Sequence, residues 1–299
     1  MATRSLEDRC SLRSLAARES PAATASTIRR WLLIEHPGPW GRDGLLDARL
    51  PEGVGAALRD LEGRAGVRVL LIRKPHRPRA VPDGVLCSSI DTRDAWRGER
   101  IMDRIEDVLD LDLRDRTAFV RPEEAPLFVT CTHGRRDPCC AEQGRPLAEA
   151  IDATASTIAW ESTHVGGDRF AANLVAFPHG LYFGRVEPSE GPEIVAAYAD
   201  ERRIAHLERF RGRASHPRHV QAADRRLREE LGTDRIDDVT PLRGRRRGAT
   251  GEVVFATPRG EVRVRLELVE RPAMRLTCHS SREETPTAWR VVTIEAAAG

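Results

Sequence analysis

Apolar residues along this chain fall into short blocks that alternate between continuous runs and helical spacing. RWLLIE (Arg30–Glu35) is a continuous run closed by His-Pro-Gly-Pro, which predicts a buried strand. Residues 53–65 set Val54, Leu58 and Leu61 at helical intervals, and VRVLLIRK (67–74) predicts a second buried strand. Together they read as a β-α-β unit with parallel strands. GVLCSSIDT (84–92) predicts a third strand. RIMDRIEDVLDL (100–111), apolar at 101, 105, 108 and 109, predicts an amphipathic helix.

Pro122 and Pro126 break the chain, and much the same order of elements then recurs. PLFVTCTHG (126–134) predicts a strand, 144–153 a helix, and TIAWESTHV (157–165) a strand. AANLVAFP and GLYFGRV, separated by His179-Gly180, predict an antiparallel hairpin, and 193–209 a closing helix. Strand-helix-strand, hairpin, helix is the thioredoxin-like plan. Both halves can be written this way, with WLLIEHPGPW set against LFVTCTHGRR, so two tandem thioredoxin-like units are an expectation. Beyond residue 215, VQAADRRLREEL (220–231) predicts an amphipathic helix capped by Gly232. EVVFATP, EVRVRLELVE and WRVVTIE then predict a small antiparallel β-meander, to which MRLTCHS could add a strand. The expected α/β organisation is an N-terminal segment over 1–28, partly mobile, then units over 29–121, 122–214 and 215–299.

Composition adds limits. A 40 % hydrophobic, 31 % charged chain of 299 residues can bury more than one core, and no apolar run approaches the roughly 20 residues that cross a bilayer. No membrane partner is expected. The N-terminus lacks the apolar stretch of a secretory signal, which makes the cytoplasm the expected compartment. Net charge is +2 with both signs interspersed, so no nucleic-acid partner is expected. The basic run Arg243 to Arg247 reads as a solvated loop before a hairpin. His179, at a hairpin turn, and His206, on a helix, read as surface residues, and Trp160 and Phe170 as core.

Six cysteines are present: Cys10, Cys87, Cys131, Cys139, Cys140 and Cys278. Clustered cysteines in a chain of this kind read first as metal ligands or redox groups. Cys87 and Cys278 read as small buried hydrophobes in strands, and Cys10, in a polar stretch, has no evident role. Thiolate and imidazole suit iron-sulfur clusters and zinc, so Cys131, Cys139, Cys140, His133 and His164 form a candidate ligand set just after predicted strands. The spacing is not that of a zinc ribbon or finger. Residue types alone leave the metal open.

FVTCTHGRRDPCCA (128–141), WESTHVGGDRFAAN (160–173) and GLYFGR (180–185) resemble the motifs of the sucrase/ferredoxin-like family, whose members are similar to thioredoxin-like ferredoxins. The likeness extends over most of the chain and is densest between 126 and 186. It implies a [2Fe-2S] cluster and work as a single-electron carrier or redox sensor, electron transfer rather than catalysis. In eukaryotic members a cysteine, eight residues, a second cysteine and then H-x-G-G-H supply two Cys and two His ligands. On that pattern the ligands here are Cys131, Cys140 and His164, with Asp168 in place of the second histidine. Three resolutions stay open: Asp168 ligates; Cys139, His133 or Cys278 supplies the fourth ligand; or the site is incomplete. Gly166 and Gly167 would let backbone approach the cluster. Arg135, Arg136, Asp137 and Arg169 flank the ligands and would set its charge or a docking surface.

A mixed Cys/His site implies a potential above the roughly −400 mV of plant-type ferredoxins. The generic partner of such a carrier is a flavin-dependent reductase. Two other classes remain in play: a thiol-disulfide redox protein using Cys131, Cys139 or Cys140, and a zinc-stabilised binding module without turnover.

Overall fold

The computed structural model describes residues 9–76, 84–120 and 125–297. The break expected at Pro122 and the first eight residues lie outside these. The elements in chain order begin with α1 (Cys10–Ala16), β1 (Arg30–Glu35), α2 (Val54–Ala65), β2 (Arg68–Arg73), β3 (Val85–Asp91) and β4 (Trp96–Met102). The second half supplies β5 (Leu127–Cys131), α3 (Pro138–Ala155), β6 (Ala159–Ser162), β7 (Asn173–Phe177), β8 (Leu181–Gly184), α4 (Glu190–Glu201) and β9 (Phe210–Arg213). α5 (Arg218–Leu231) leads into β10 (Thr240–Arg247), β11 (Thr250–Thr257), β12 (Gly260–Glu270) and β13 (Thr287–Ala296).

The fold is mixed α/β, built on a nine-stranded sheet in the order β4-β3-β1-β2-β6-β5-β7-β8-β9. β1 runs parallel to β2 and antiparallel to β3, which pairs with β4. β5 runs parallel to β6 and antiparallel to β7, which pairs with β8. The connectivity of the first half is thus repeated in the second. The halves meet at the antiparallel pair β2–β6, through Ile72↔Ser162 and Arg73↔Glu161.

Alternation along the strands explains the core. Trp31 and Leu33 of β1, Leu70 and Ile72 of β2, Val129 and Cys131 of β5, and Val175 and Phe177 of β7 share one apolar cluster that runs across both halves. Trp31 meets Phe177 edge-on with ring centres 5.4 Å apart. The intervening residues face the other way into two separate clusters. Leu32, Ile34, Val69 and Leu71 pack with α2, and Phe128, Leu174, Ala176 and Phe183 with α3 and α4. The amphipathic α5 buries Val220, Ala223 and Leu227 against the antiparallel sheet β10-β11-β12-β13.

Several expectations from periodicity are corrected. Residues 100–111 are not an α-helix: β4 runs to Met102, and a 3-10 turn covers Ile105–Asp110. Strand pairing with β3 claims Arg100, Ile101 and Met102. The closing helix ends at Glu201, because Arg202 takes a left-handed conformation (φ 53°) and its N–H bonds Ala197 O. Arg243 to Arg247 lie within β10, paired with β11, rather than in a loop. MRLTCHS supplies a single bridge, Met274↔Glu284, and no strand among the described residues. His179 is buried, its Nδ1 2.6 Å from Tyr198 Oη.

Candidate metal centre

Two loops leave the C-terminal ends of the neighbouring parallel strands β5 and β6, where α/β sheets present their sites. β5 ends on Cys131. The chain turns through His133 and Gly134, and Asp137 caps α3 by accepting the Cys139 N–H at 3.0 Å, with Pro138 in the first turn. Cys139 and Cys140 therefore sit at a helix start, where orphan N–H groups favour anionic sulfur. Gly144 lets α3 lie against the strand end: a Cβ there would fall 2.1 Å from Cys131 O.

The second loop is pinned from both sides. Thr163 donates its N–H to Leu71 O at 2.9 Å and accepts the Leu71 N–H on Oγ1 at 3.1 Å, and Arg68 reaches His164 O at 3.2 Å. Strand β2 of the first half thus positions His164. Gly166 and Gly167 follow at φ 97° and 86°. The fully buried Arg211 donates to Gly166 O at 3.0 Å, and a Cβ on Gly167 would fall 2.3 Å from its Nη2. Only glycine fits this turn.

These loops bring together Cys131, Cys140 and His164, whose ligand atoms all lie within 4.8 Å of one another. Asp168 touches two of the three, with Oδ1 3.3 Å from Cys140 Sγ and 3.1 Å from His164 Nδ1. The hydrogen bond from Cys140 holds the Cys131 thiol well below its ordinary value, His164 adding to this against the cost of burial, and the same bond pushes Cys140 up. Burial opposes charge on His164, yet the Cys131 thiolate and Asp168 outweigh it and raise the imidazole. Burial also raises the Asp168 carboxyl, with His164 pulling the other way. His164 Nδ1 is buried without an aligned hydrogen-bond partner. Two thiols and an imidazole that converge, with a carboxylate against two of the three, fit a thiolate- and imidazole-held iron site.

The remaining candidates are dispersed. His133 stands outside the group, its Nε2 3.0 Å from Gly41 O and its ring edge-on to Trp40. Cys139 and Cys278, considered as fourth ligands, belong instead to a separate group with Asp137 and Cys10. Cys278 lies in the loop between β12 and β13, not in a strand, and Cys10 lies in α1. No local pattern in the sequence announces Cys10 as a partner of residues 137 and 139. Cys87 is buried in β3 as a small hydrophobe. Arg135 and Arg136 are exposed, and Arg169 pairs with Glu19 at 2.8 Å. His164 opens onto a cleft of about 250 Å³ rimmed by Arg42, Arg59, Arg68 and Arg136 together with Asp43 and Glu62.

A family model described as sucrase/ferredoxin-like matches residues 21–212, about two thirds of the chain and including both loops. The chain belongs to the sucrase/ferredoxin-like family. Among solved structures, a variant of the thioredoxin-like [2Fe-2S] ferredoxin from Aquifex aeolicus is similar over 27% of this chain and 93% of its own, at 17% identity and a TM-score of 0.25. No curated protein matches. No helix among the described residues is long and apolar enough to cross a membrane.

Proposed function

We propose that this member of the sucrase/ferredoxin-like family holds a [2Fe-2S] cluster on Cys131, Cys140, His164 and Asp168 and works as a single-electron carrier or redox sensor in the cytoplasm. The observation that carries the reading is the convergence of two thiols and an imidazole from the family's two motifs into one buried group. The cluster supplies one-electron reduction and reoxidation. The protein's part is to supply ligands of the right softness, keep water from the sulfurs, and offer an exit. Cys131 and Cys140 are buried, whereas the His164 side chain is 18% exposed at the arginine-rimmed cleft. His164 is the most exposed of the four proposed ligands, and the cleft's excess of arginines over Asp43 and Glu62 suits an acidic docking face on a flavin-dependent reductase.

The repeated connectivity of the halves supports a finer reading of the fold as two tandem thioredoxin-like units, 29–121 and 122–214, followed by a helix-and-meander lobe over 215–299. In this reading the first unit serves as a platform that places His164 through Thr163 and Arg68.

A second reading is favoured by the compactness of the group: donors within 4.8 Å of one another can also ring one zinc ion. Substitution separates the two. Anaerobically purified protein is expected to show visible sulfur-to-iron absorption that Cys131→Ser and Cys140→Ser abolish. Colourless protein with zinc lost in the same variants would support the second reading and overturn the first.

A further inference from the structure

Beside the family's site the protein assembles a second set of donors that no motif predicts. Cys10 from α1, Asp137 and Cys139 from the start of α3, and Cys278 from the β12–β13 loop each place a ligand atom within 4.8 Å of the others. All four are buried, three of them completely. The Cys139 sulfur is 3.6 Å from that of Cys10 and 3.4 Å from that of Cys278. Cys10 Sγ is 3.8 and 3.7 Å from the two Asp137 oxygens.

Those separations match the edges of a small tetrahedron. Zinc bound at about 2.3 Å from sulfur and about 2.1 Å from oxygen sets two sulfurs about 3.8 Å apart and a sulfur and an oxygen about 3.6 Å apart. A disulfide requires about 2.0 Å between sulfurs and would use only two of the three. Packing as small hydrophobes accounts for burying the thiols and capping of α3 for placing Asp137, but three sulfurs gathered around that carboxylate exceed what either role requires. Hydrogen bonds converge on the donors as they do around metal thiolates. Ser11 Oγ donates to Cys139 Sγ at 3.3 Å, and the Cys10 N–H to Cys278 Sγ at 3.3 Å. The N–H groups of Cys139 and Cys278 donate to Asp137 at 3.0 and 2.7 Å.

We propose that Cys10, Asp137, Cys139 and Cys278 form a single-ion site for zinc or a similar soft divalent cation, separate from the family's site, which staples α1 and the β12–β13 loop to the first turn of α3. Binding releases the three thiol protons. A divalent ion with three thiolates and one carboxylate leaves a doubly negative centre, offset by the N–H and hydroxyl donors above and by the positive end of the 18-residue α3. The ligands lie 129 and 139 residues from Cys139 along the chain, so the ion closes two long loops. Cys139 is covalently joined to Cys140, so the staple also fixes the turn that presents Cys140 to the other site.

Cobalt(II) added to reduced, chelator-stripped full-length protein is the probe. In the Cys131→Ser background, which disables the family's site, one equivalent of tetrahedral cobalt-thiolate absorption is expected, displaced by zinc. In the same background Cys10→Ser and Cys278→Ser should weaken cobalt binding at least tenfold, with circular dichroism confirming the fold. Zinc analysis of the Cys131→Ser protein as purified gives a measure independent of those variants: about one zinc per chain is expected. Survival of the cobalt bands in Cys10→Ser and Cys278→Ser, or absence of both zinc and cobalt uptake with a disulfide mapped among the three cysteines, would overturn the proposal. None of these readouts depends on iron, so failure of the [2Fe-2S] reading is seen separately.

Discussion

Asp168 stands 3.1 Å from His164 and 3.3 Å from Cys140, at the edge of the group formed by Cys131, Cys140 and His164. As a ligand of the proposed cluster, a carboxylate there would add a negative charge and disfavour reduction. Asp168→His should therefore raise the midpoint potential by on the order of 100 mV, since a charge at ligand distance is worth several kcal/mol even in a polarizable interior. Redox titration of the two proteins checks this, and an unchanged potential would place Asp168 outside the coordination. Cys131, Cys140 and His164 were legible in the sequence because each lies in a short motif next to a strand end. Cys10 was not, because its partners are 127 or more residues away and no local spacing records a contact made only by folding.

At the scale of elements, α3 sets the geometry of both groups of donors, and Gly144 sets how α3 meets β5. A methyl group there would overlap Cys131 O, at 2.1 Å from the Cβ. Gly144→Ala is expected to cost about 1–3 kcal/mol in denaturant melts and to lower cluster occupancy, because relief of the overlap must move either the helix or the Cys131 carbonyl. Unchanged stability and iron content would mean that the helix shifts freely. Most strands were readable from continuous apolar runs. The misread elements share a cause: the decisive signal was not local. Ile101, Ile105 and Val108 keep helical intervals, but pairing with β3 outweighs them up to Met102. Arg202 ends α4 in a left-handed conformation without a glycine to mark it. The arginine run 243–247 reads as a loop until β11 supplies its pairing partner.

Over the whole molecule, buried histidines make stability depend on pH. Burial depresses His179 to about 3 and His216 to about 4, with nearby Arg213 adding to both. Below the unfolded value near 6.5 the unfolded chain binds protons that the folded one refuses, so stability is full above that pH and is lost as pH falls toward 4. Between pH 7 and 5 the loss should reach up to about 2 kcal/mol per histidine in urea melts. His179→Phe should flatten part of the slope, and an identical slope in the variant would contradict this assignment.

The repeated connectivity of the two halves, hinted at by the order of predicted elements, became visible only through strand pairing, since few residues match between them. One half carries the thiols and His164, while the other bonds the His164 segment through Arg68 and supplies Arg42, Arg59 and Arg68 of the cleft rim. The most direct test of the central claim is iron and acid-labile sulfide analysis, with EPR before and after reduction, on anaerobically purified protein. The account predicts brown protein with about two iron and two sulfide per chain and a one-electron reduced signal. Colourless, iron-free protein with both thiols of the family's site intact would contradict it.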